Sequence, residues 1–164
     1  MQALLTIGYE GSSLEEFVST LLEAGVTTLL DVRELPISRR KGFSKTALSE
    51  AVRAVGIDYR HERDLGSPKP IRHRLHSDGD YEHYFKSFTS YLNSQKPLLR
   101  QLAEELDGQV ALMCFERDPT TCHRSVVAKH LEALTKLKTR HLGVRNGESG
   151  QRARTRVGEG LPTA

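Results

Sequence analysis

The chain has 164 residues, 37% of them hydrophobic and 27% charged, and its formal net charge is +3. This length predicts one domain that buries a core of its own. No run approaches the roughly 18 apolar residues of a membrane span, and we expect neither a membrane segment nor a secretory leader. The two cysteines fit a reducing compartment better than a secreted disulfide framework, so we expect a cytoplasmic protein.

The first part of the chain predicts a strand, a helix and a second strand. Residues 4–7 are a short apolar run, and residues 28–32 are another. Between them, Ser13 precedes Glu16 by three positions, which is the capping-box pattern at the start of a helix, and Gly25 ends that helix. Such a βαβ unit implies two parallel strands.

The loop at residues 33–43 follows the second strand. Four basic side chains make it the densest basic segment of the body: Arg33, Arg39, Arg40 and Lys41. Ser44 then predicts the cap of a helix that ends at Gly56, and residues 57–60 predict a third strand. Residues 61–80 are polar and basic with prolines and glycines, and we expect them to form a loop over the top of the sheet.

The second half continues the alternation of helices and strands. Residues 81–92 and 98–106 carry apolar side chains at helical spacing. Residues 110–115 form a continuous apolar run, which is typical of a strand buried on both faces of a parallel sheet. Thr120 or Thr121 can cap a following helix, and residues 138–142 predict a last short strand.

These elements predict a single α/β domain over residues 1–142, with three layers and a mostly parallel sheet flanked by helices. Residues 143–164 lack periodicity, and we expect a disordered basic tail there. The tail holds four arginines against two glutamates, so the body is close to neutral. Composition therefore gives little support for strong nonspecific binding of nucleic acid.

Residues 110–130 are the most informative stretch, because an apolar strand there leads into a charged loop and a helix start. Five chemically versatile side chains fall in it: Cys114, Glu116, Cys122, His123 and Arg124. Ligands of open α/β sheets bind at the carboxyl ends of strands, where helix N-termini also attract anions. The stretch predicts a functional site without specifying its reaction.

Cys122 is expected in the first turns of the helix beside His123 and Arg124, a position that favours the thiolate. It could act as a nucleophile, a redox thiol or a metal ligand, or pack inward as a small apolar residue. We expect Cys114, inside the strand, to belong to the core. His123 is the natural acid or base near neutral pH, and a packing role is equally compatible with its position.

A metal site of Cys114, Cys122 and His123 with Glu116 as a fourth ligand is an alternative. Structural zinc sites usually contain ligand pairs two to four residues apart. The adjacent Cys122 and His123 would diverge on a helix, so no metal is predicted. The sequence also lacks a Walker loop, a dinucleotide fingerprint and an HExxH motif, and no cofactor is predicted. A reversible disulfide between the two cysteines stays open.

Three arginines can form bidentate pairs with phosphate or carboxylate, namely Arg33, Arg39 and Arg124. Asp31 and Glu116 can orient them, or all five can form an internal ion-pair network. We expect both roles, with the carboxylates holding the arginines rigid for an anion.

Two hydroxyl groups could reach the same pocket, those of Tyr9 and Ser38, although a structural role explains each alone better. The basic segments at residues 39–45 and 69–76 could follow a sugar-phosphate backbone. Because a charge run is usually a solvated face, nucleic-acid binding is kept as an alternative.

Four segments carry a family resemblance: TIGYEG at residues 6–11, LLDVRELPISRRKGF at 29–43, residues 59–66, and ALMCFERDPTTCHRSVVAKHL at 111–131. They resemble the prokaryotic family called domain of unknown function 488 (DUF488). The Cys-Phe-Glu run followed by Cys-His-Arg is the most specific part. The resemblance implies a compact α/β domain with a polar site, and it implies no particular activity.

A weaker similarity links Asp31, Arg33 and Cys114 to rhodanese-like sulfurtransferases, in which a strand ends in a nucleophilic cysteine. The loop after Cys114 has no glycine, unlike the Gly-rich cradle of those enzymes, so this similarity is an analogy of fold only.

The first functional hypothesis is an enzyme that acts on a phosphate-bearing substrate, either a nucleotide or a nucleic acid. Arg33, Arg39 and Arg124 would hold the anion, and Cys122 or His123 would transfer a proton or attack the substrate. One alternative is a noncatalytic nucleic-acid-binding module, and another is a thiol-based sulfurtransferase or redox enzyme. The sequence does not indicate an oligomeric state.

Overall fold

The computed structural model describes residues 1–144 and has an α/β fold. Five strands are present in this part of the chain: β1 Ala3–Gly8, β2 Thr28–Asp31, β3 Asp58–His61, β4 Gln109–Cys114 and β5 Thr139–Leu142. Six α-helices accompany them: α1 Leu14–Glu23, α2 Lys45–Ala54, α3 Lys69–Asp78, α4 Tyr81–Asn93, α5 Lys96–Glu105 and α6 Arg124–Thr135. Short 3₁₀ helices occur at Arg63–Leu65 and Pro119–Thr121.

The strands form one parallel sheet in the order β3-β2-β4-β1-β5. The chain leaves β2 towards β3 at one edge of the sheet, whereas it leaves the neighbouring strand β4 in the other direction, towards β5. Adjacent strands whose connections diverge in this way open a crevice outside their carboxyl ends, which is the usual ligand position in open α/β sheets. The fold therefore places a crevice at the ends of β2 and β4.

Each face of the sheet has its own apolar core. One cluster contains Phe17 of α1 and Leu48 of α2, and the other contains Phe88 of α4, Leu102 of α5 and Leu131 of α6. Residues 110–114 of β4 are all at most 1% exposed, and alternate residues contribute to alternate clusters. The prediction of a strand buried on both faces is confirmed for residues 110–114, whereas Phe115 lies beyond the strand and is 44% exposed.

The loop predicted at residues 61–80 is wrong, because its second half forms α3. Pro70 lies in the first turn of this helix, where the missing N–H is tolerated. None of the side chains of α3 is buried. Because apolar periodicity reports a buried face, the sequence carried no such signal here.

The capping predictions had mixed outcomes. Ser13 and Glu16 form both bonds of the predicted capping box. The Ser44 side chain makes no cap bond; instead its Oγ accepts a hydrogen bond from the backbone N–H of Ser38.

The predicted tail at residues 143–164 lies almost entirely outside the described residues. Within residues 1–144, no helix combines the length and the apolar character that crossing a membrane requires.

Candidate active site

A cleft of about 1110 Å³ opens at the carboxyl ends of β1, β2 and β4. Residues that follow these three strands supply much of its lining, and α3 contributes Arg72 and His76. Cys114, Glu116 and His123 also line the cleft. It lies at the edge of the sheet where the polar residues of the sequence predict a site.

A close backbone approach joins the loops after β1 and β4. A Cβ atom on Gly8 would lie only 1.8 Å from the carbonyl oxygen of Glu116, so glycine is required at the end of β1. The backbone N–H of Glu10 donates to the carbonyl of Phe115 at 2.9 Å. These contacts fix the Glu116 backbone against the end of β1.

Cys114 and Cys122 form a disulfide, and their Cα atoms are 7.5 Å apart. Each residue is 1% exposed. Cys114 belongs to the apolar core, which confirms the prediction, and it also contributes to the lining of the cleft. The structure thus joins the two cysteines whose pairing the sequence left open.

Cys122 does not lie in a helix, contrary to the prediction. The Asp118 side chain caps a 3₁₀ turn at Pro119–Thr121, so Thr120 and Thr121 lie within that turn instead of capping α6. Cys122 follows with extended backbone, and His123 occupies the position before α6. The side chains of Cys122 and His123 therefore do not diverge, and His123 Nδ1 lies 3.8 Å from Cys122 Sγ.

His123 is 7% exposed and is held from one side by the backbone. Its Nε2 lies 2.7 Å from the carbonyl oxygen of Val32. Because a carbonyl oxygen can only accept a hydrogen bond, Nε2 carries the proton and donates it. Nδ1 then carries a lone pair when the ring is neutral. Burial lowers the pKa of His123 to about 4. The imidazole is therefore neutral at pH 7 and is not a general base poised near neutrality.

Arg124 is completely buried. Its Nη1 donates to the Cys114 sulfur at 3.5 Å and to the carbonyl of Glu116, while Nη2 donates to the carbonyl of Arg117 at 3.3 Å. Among the described residues, no carboxylate oxygen lies within 4.0 Å of this guanidinium. Burial lowers its pKa to about 10. A buried cation thus faces a sulfur atom and carbonyl groups.

The Glu116 side chain completes this group. Its Oε1 lies 3.6 Å from Cys114 Sγ, and burial raises the pKa of its carboxyl group. A carboxyl group with a raised pKa can donate a proton to a neighbouring sulfur.

Arg33 is predicted to bind an anion, but in the structure its guanidinium is bonded to neighbouring residues of the protein. Its Nε and Nη2 donate to the two carboxylate oxygens of Asp31 at 2.9 and 2.7 Å, and Nη1 donates to Tyr9 and to the carbonyl of Phe43. Burial alone would lower the pKa of Arg33, but the hydrogen bonds and charge of Asp31 raise it above its ordinary value. Tyr59, whose role has no signal in the sequence, donates its hydroxyl hydrogen to Asp31 at 2.5 Å.

The other predicted site residues differ in whether their side chains already have hydrogen-bond partners. Arg39 is exposed on the cleft wall and makes no side-chain hydrogen bond or ion pair to any residue between 1 and 144. The hydroxyl of Ser38 accepts a hydrogen bond from the backbone N–H of Arg40. Arg72, which lies in the segment predicted as loop, donates to Glu34 at 2.7 Å beside the cleft. Within residues 1–144, Arg39 alone of the three predicted anion-binding arginines has a guanidinium without a hydrogen bond or an ion pair.

The comparison with known proteins gives one result. No curated protein and no solved structure matches the chain. The sequence model of the family described as "Domain of unknown function DUF488" matches residues 13–131, a span that includes Arg33, Cys114 and the Cys122–Arg124 motif. The chain belongs to the DUF488 family.

Proposed function

We propose that this DUF488 protein is a thiol-dependent enzyme in which Cys114 attacks a substrate bound in the cleft. The observation that carries the proposal is the buried Arg124, which donates to Cys114 Sγ and has no carboxylate partner among the described residues. A buried charge requires a compensating charge. When the cysteines are reduced, a Cys114 thiolate supplies it, and the thiolate is the nucleophilic form of cysteine.

The reaction that suits this pair is exchange with an electrophilic disulfide. The Cys114 thiolate attacks one sulfur of the substrate, the substrate S–S bond breaks, and the leaving thiolate takes a proton from Glu116. Cys122 then gives its proton to the Glu116 carboxylate, and its thiolate attacks Cys114 Sγ and releases the second substrate thiolate. The substrate gains two electrons, the cysteine pair loses two, and a thiol reductant restores the pair. The Cys114–Cys122 disulfide is the product state of this cycle.

Arg39 is the residue that would bind an anionic group of the substrate. Its guanidinium is unpaired within residues 1–144 and lies on the cleft wall. Arg40 lies beside it, with its Nε bonded to the carbonyl of Ser12. Arginine suits phosphate and carboxylate because its planar fork matches their oxygens. A phosphate-bearing substrate, as in the first hypothesis from the sequence, is therefore compatible with thiol chemistry at the floor of the cleft.

Thiol exchange with model disulfides tests the proposal directly. The reduced protein is mixed with the anionic aromatic disulfide dithiobis-nitrobenzoate, and the release of its thiolate is followed by absorbance. Wild type should release two equivalents. Cys122→Ser should stop after one equivalent with a mixed disulfide on Cys114, detectable by mass, whereas Cys114→Ser should lose the fast phase.

Arg39→Gln tests the anion subsite with a matched pair of probes. The variant should react with the anionic disulfide about tenfold more slowly, which corresponds to the loss of one charge-assisted contact. Its rate of reaction with neutral dipyridyl disulfide should not change. Lys129→Gln, on the exposed part of α6, serves as the charge control. The thiol mechanism would be contradicted if native and unfolded protein released the aromatic thiolate at equal rates, or if Cys114→Ser kept the fast phase of release.

The nucleic-acid-binding alternative gives a different result. It predicts binding that weakens steeply with salt and that does not change in Cys114→Ser or Cys122→Ser.

A further inference from the structure

Three metal-binding side chains converge at the base of the cleft: Cys114, Cys122 and His123. One potential ligand atom of each lies within 4.8 Å of the other two, and all three residues are buried. Thiolate sulfur and imidazole nitrogen are the donors that hold zinc in four-coordinate sites. We propose that the protein binds one zinc-class divalent ion through these three side chains when the cysteines are reduced.

The hydrogen bonding of His123 matches that of a metal ligand. Its Nε2 lies 2.7 Å from the Val32 carbonyl, so the proton resides on Nε2. Metal-binding histidines commonly donate their second ring N–H to a carbonyl or carboxylate, which fixes the tautomer and the ring orientation. The remaining atom, Nδ1, is on the side of the Cys122 sulfur, 3.8 Å away. The imidazole is therefore oriented for coordination without rearrangement.

The backbone separation of the cysteines also suits a shared ion. Their Cα atoms are 7.5 Å apart, whereas most disulfides span roughly 4.4–6.8 Å. Two sulfurs at about 2.3 Å from a tetrahedral ion lie about 3.8 Å from each other. Rotation of the two reduced side chains can reach this separation while the backbone stays in place.

The charges around the three ligands balance a divalent ion. Two thiolates neutralise it, and the Cys114 thiolate stays beside the Arg124 guanidinium. The backbone N–H and the Nη1 group of Arg124 each approach one sulfur at 3.5 Å, and such donors stabilise metal-bound thiolates. Because Cys114, Glu116 and His123 line the cleft, the fourth coordination position is accessible to water or to a cleft ligand.

The inference goes beyond the thiol cycle, because it requires only that the pair be reduced. A disulfide uses both sulfurs, so the oxidised protein should have no site. Metal binding and the disulfide therefore exclude each other.

Cobalt serves as the spectroscopic probe, with zinc as its competitor. Protein without a histidine tag is reduced with a phosphine, freed of reductant without air, and titrated with cobalt ion. One equivalent should produce intense visible d–d bands of tetrahedral cobalt and a near-ultraviolet sulfur-to-cobalt band, and zinc should abolish both. The oxidised wild type has the same sequence and should produce neither band.

Variants identify the ligands. Cys122→Ser should weaken the charge-transfer band, and His123→Ala should lower cobalt affinity by about 100-fold or more. His73→Ala, on the exposed surface of α3, should match wild type. Far-ultraviolet circular dichroism shows whether each variant folds, and the oxidised wild type remains the control if one does not.

The outcome separates this proposal from the proposed function. Absence of tetrahedral bands in the reduced wild type, or identical bands in the reduced and oxidised forms, would overturn the metal site and leave thiol exchange standing. Tetrahedral bands in a protein that fails to react with aromatic disulfides would establish the metal site and refute the thiol enzyme.

Discussion

The Asp31–Arg33 pair offers the most direct test of how the arginines are used. Asp31 is 0% exposed and Arg33 is 7% exposed. Asp31→Asn keeps the size of the side chain but removes the negative charge that faces the guanidinium. The buried arginine would then keep its charge without a counter-charge, and the Tyr59 hydroxyl would lose a charged acceptor.

Breaking a buried ion pair by removing one partner costs about 3–5 kcal/mol. With a urea dependence of about 2 kcal/mol per molar, the unfolding midpoint should fall by about 1.5–2.5 M. Urea unfolding at pH 7, followed by circular dichroism, measures this shift. Replacing both residues, as in Asp31→Asn with Arg33→Met, should recover part of the loss because no unpaired charge remains.

Glu105→Gln is the matched control, because it removes a carboxylate that pairs with Arg60 at the surface. The two side chains are 45% and 32% exposed, and such pairs contribute little in water. Its midpoint should stay at the wild-type value. A shift in Asp31→Asn as small as that of Glu105→Gln would refute the structural role of Arg33 and return its guanidinium to the set of free anion ligands.

Two further predictions concern stability. Burial lowers the pKa of His141 to about 4, so below pH 6.5 the unfolded chain binds a proton that the native state does not. Because this imidazole is only partly buried, solvent screening limits the effect, and the free energy of unfolding should fall by about 1–2 kcal/mol between pH 7 and pH 4. A His141→Gln variant with an unchanged pH slope in urea titrations would argue against it. Gly8→Ala should cost about 3 kcal/mol, since its Cβ would overlap the Glu116 carbonyl, and should lower the melting temperature by about 6–12 °C in calorimetry. A melting temperature equal to that of wild type would show that the two loops separate without cost.

Periodicity predicted the elements whose faces are buried and missed the one whose faces are not. β4 was evident because residues 110–114 are buried on both sides of the sheet. α3 was missed because it covers the cleft without burying any side chain. Apolar spacing measures burial and only indirectly measures backbone conformation.

The position of the site followed from topology, but the role of each arginine did not. Three apolar runs placed the strand ends together, because parallel strands deliver their carboxyl ends to one edge. The sequence does not show that Arg33 donates to Asp31 and to Phe43 or that Arg124 is buried. Nor does it show that Arg39 is unpaired among residues 1–144. These differences depend on long-range contacts and not on residue type.

Arg124 connects the fold to the proposed chemistry. As a ligand for a substrate phosphate it is badly placed, because it is completely buried and already donates to the carbonyls of Glu116 and Arg117. As a counter-charge it has one suitable neighbour, since Cys114 Sγ becomes an anion on reduction. In the disulfide state the guanidinium lacks that anion, and burial lowers its pKa to about 10. Reduction supplies the missing charge, so Arg124 favours the thiolate state, from which both thiol exchange and metal binding begin.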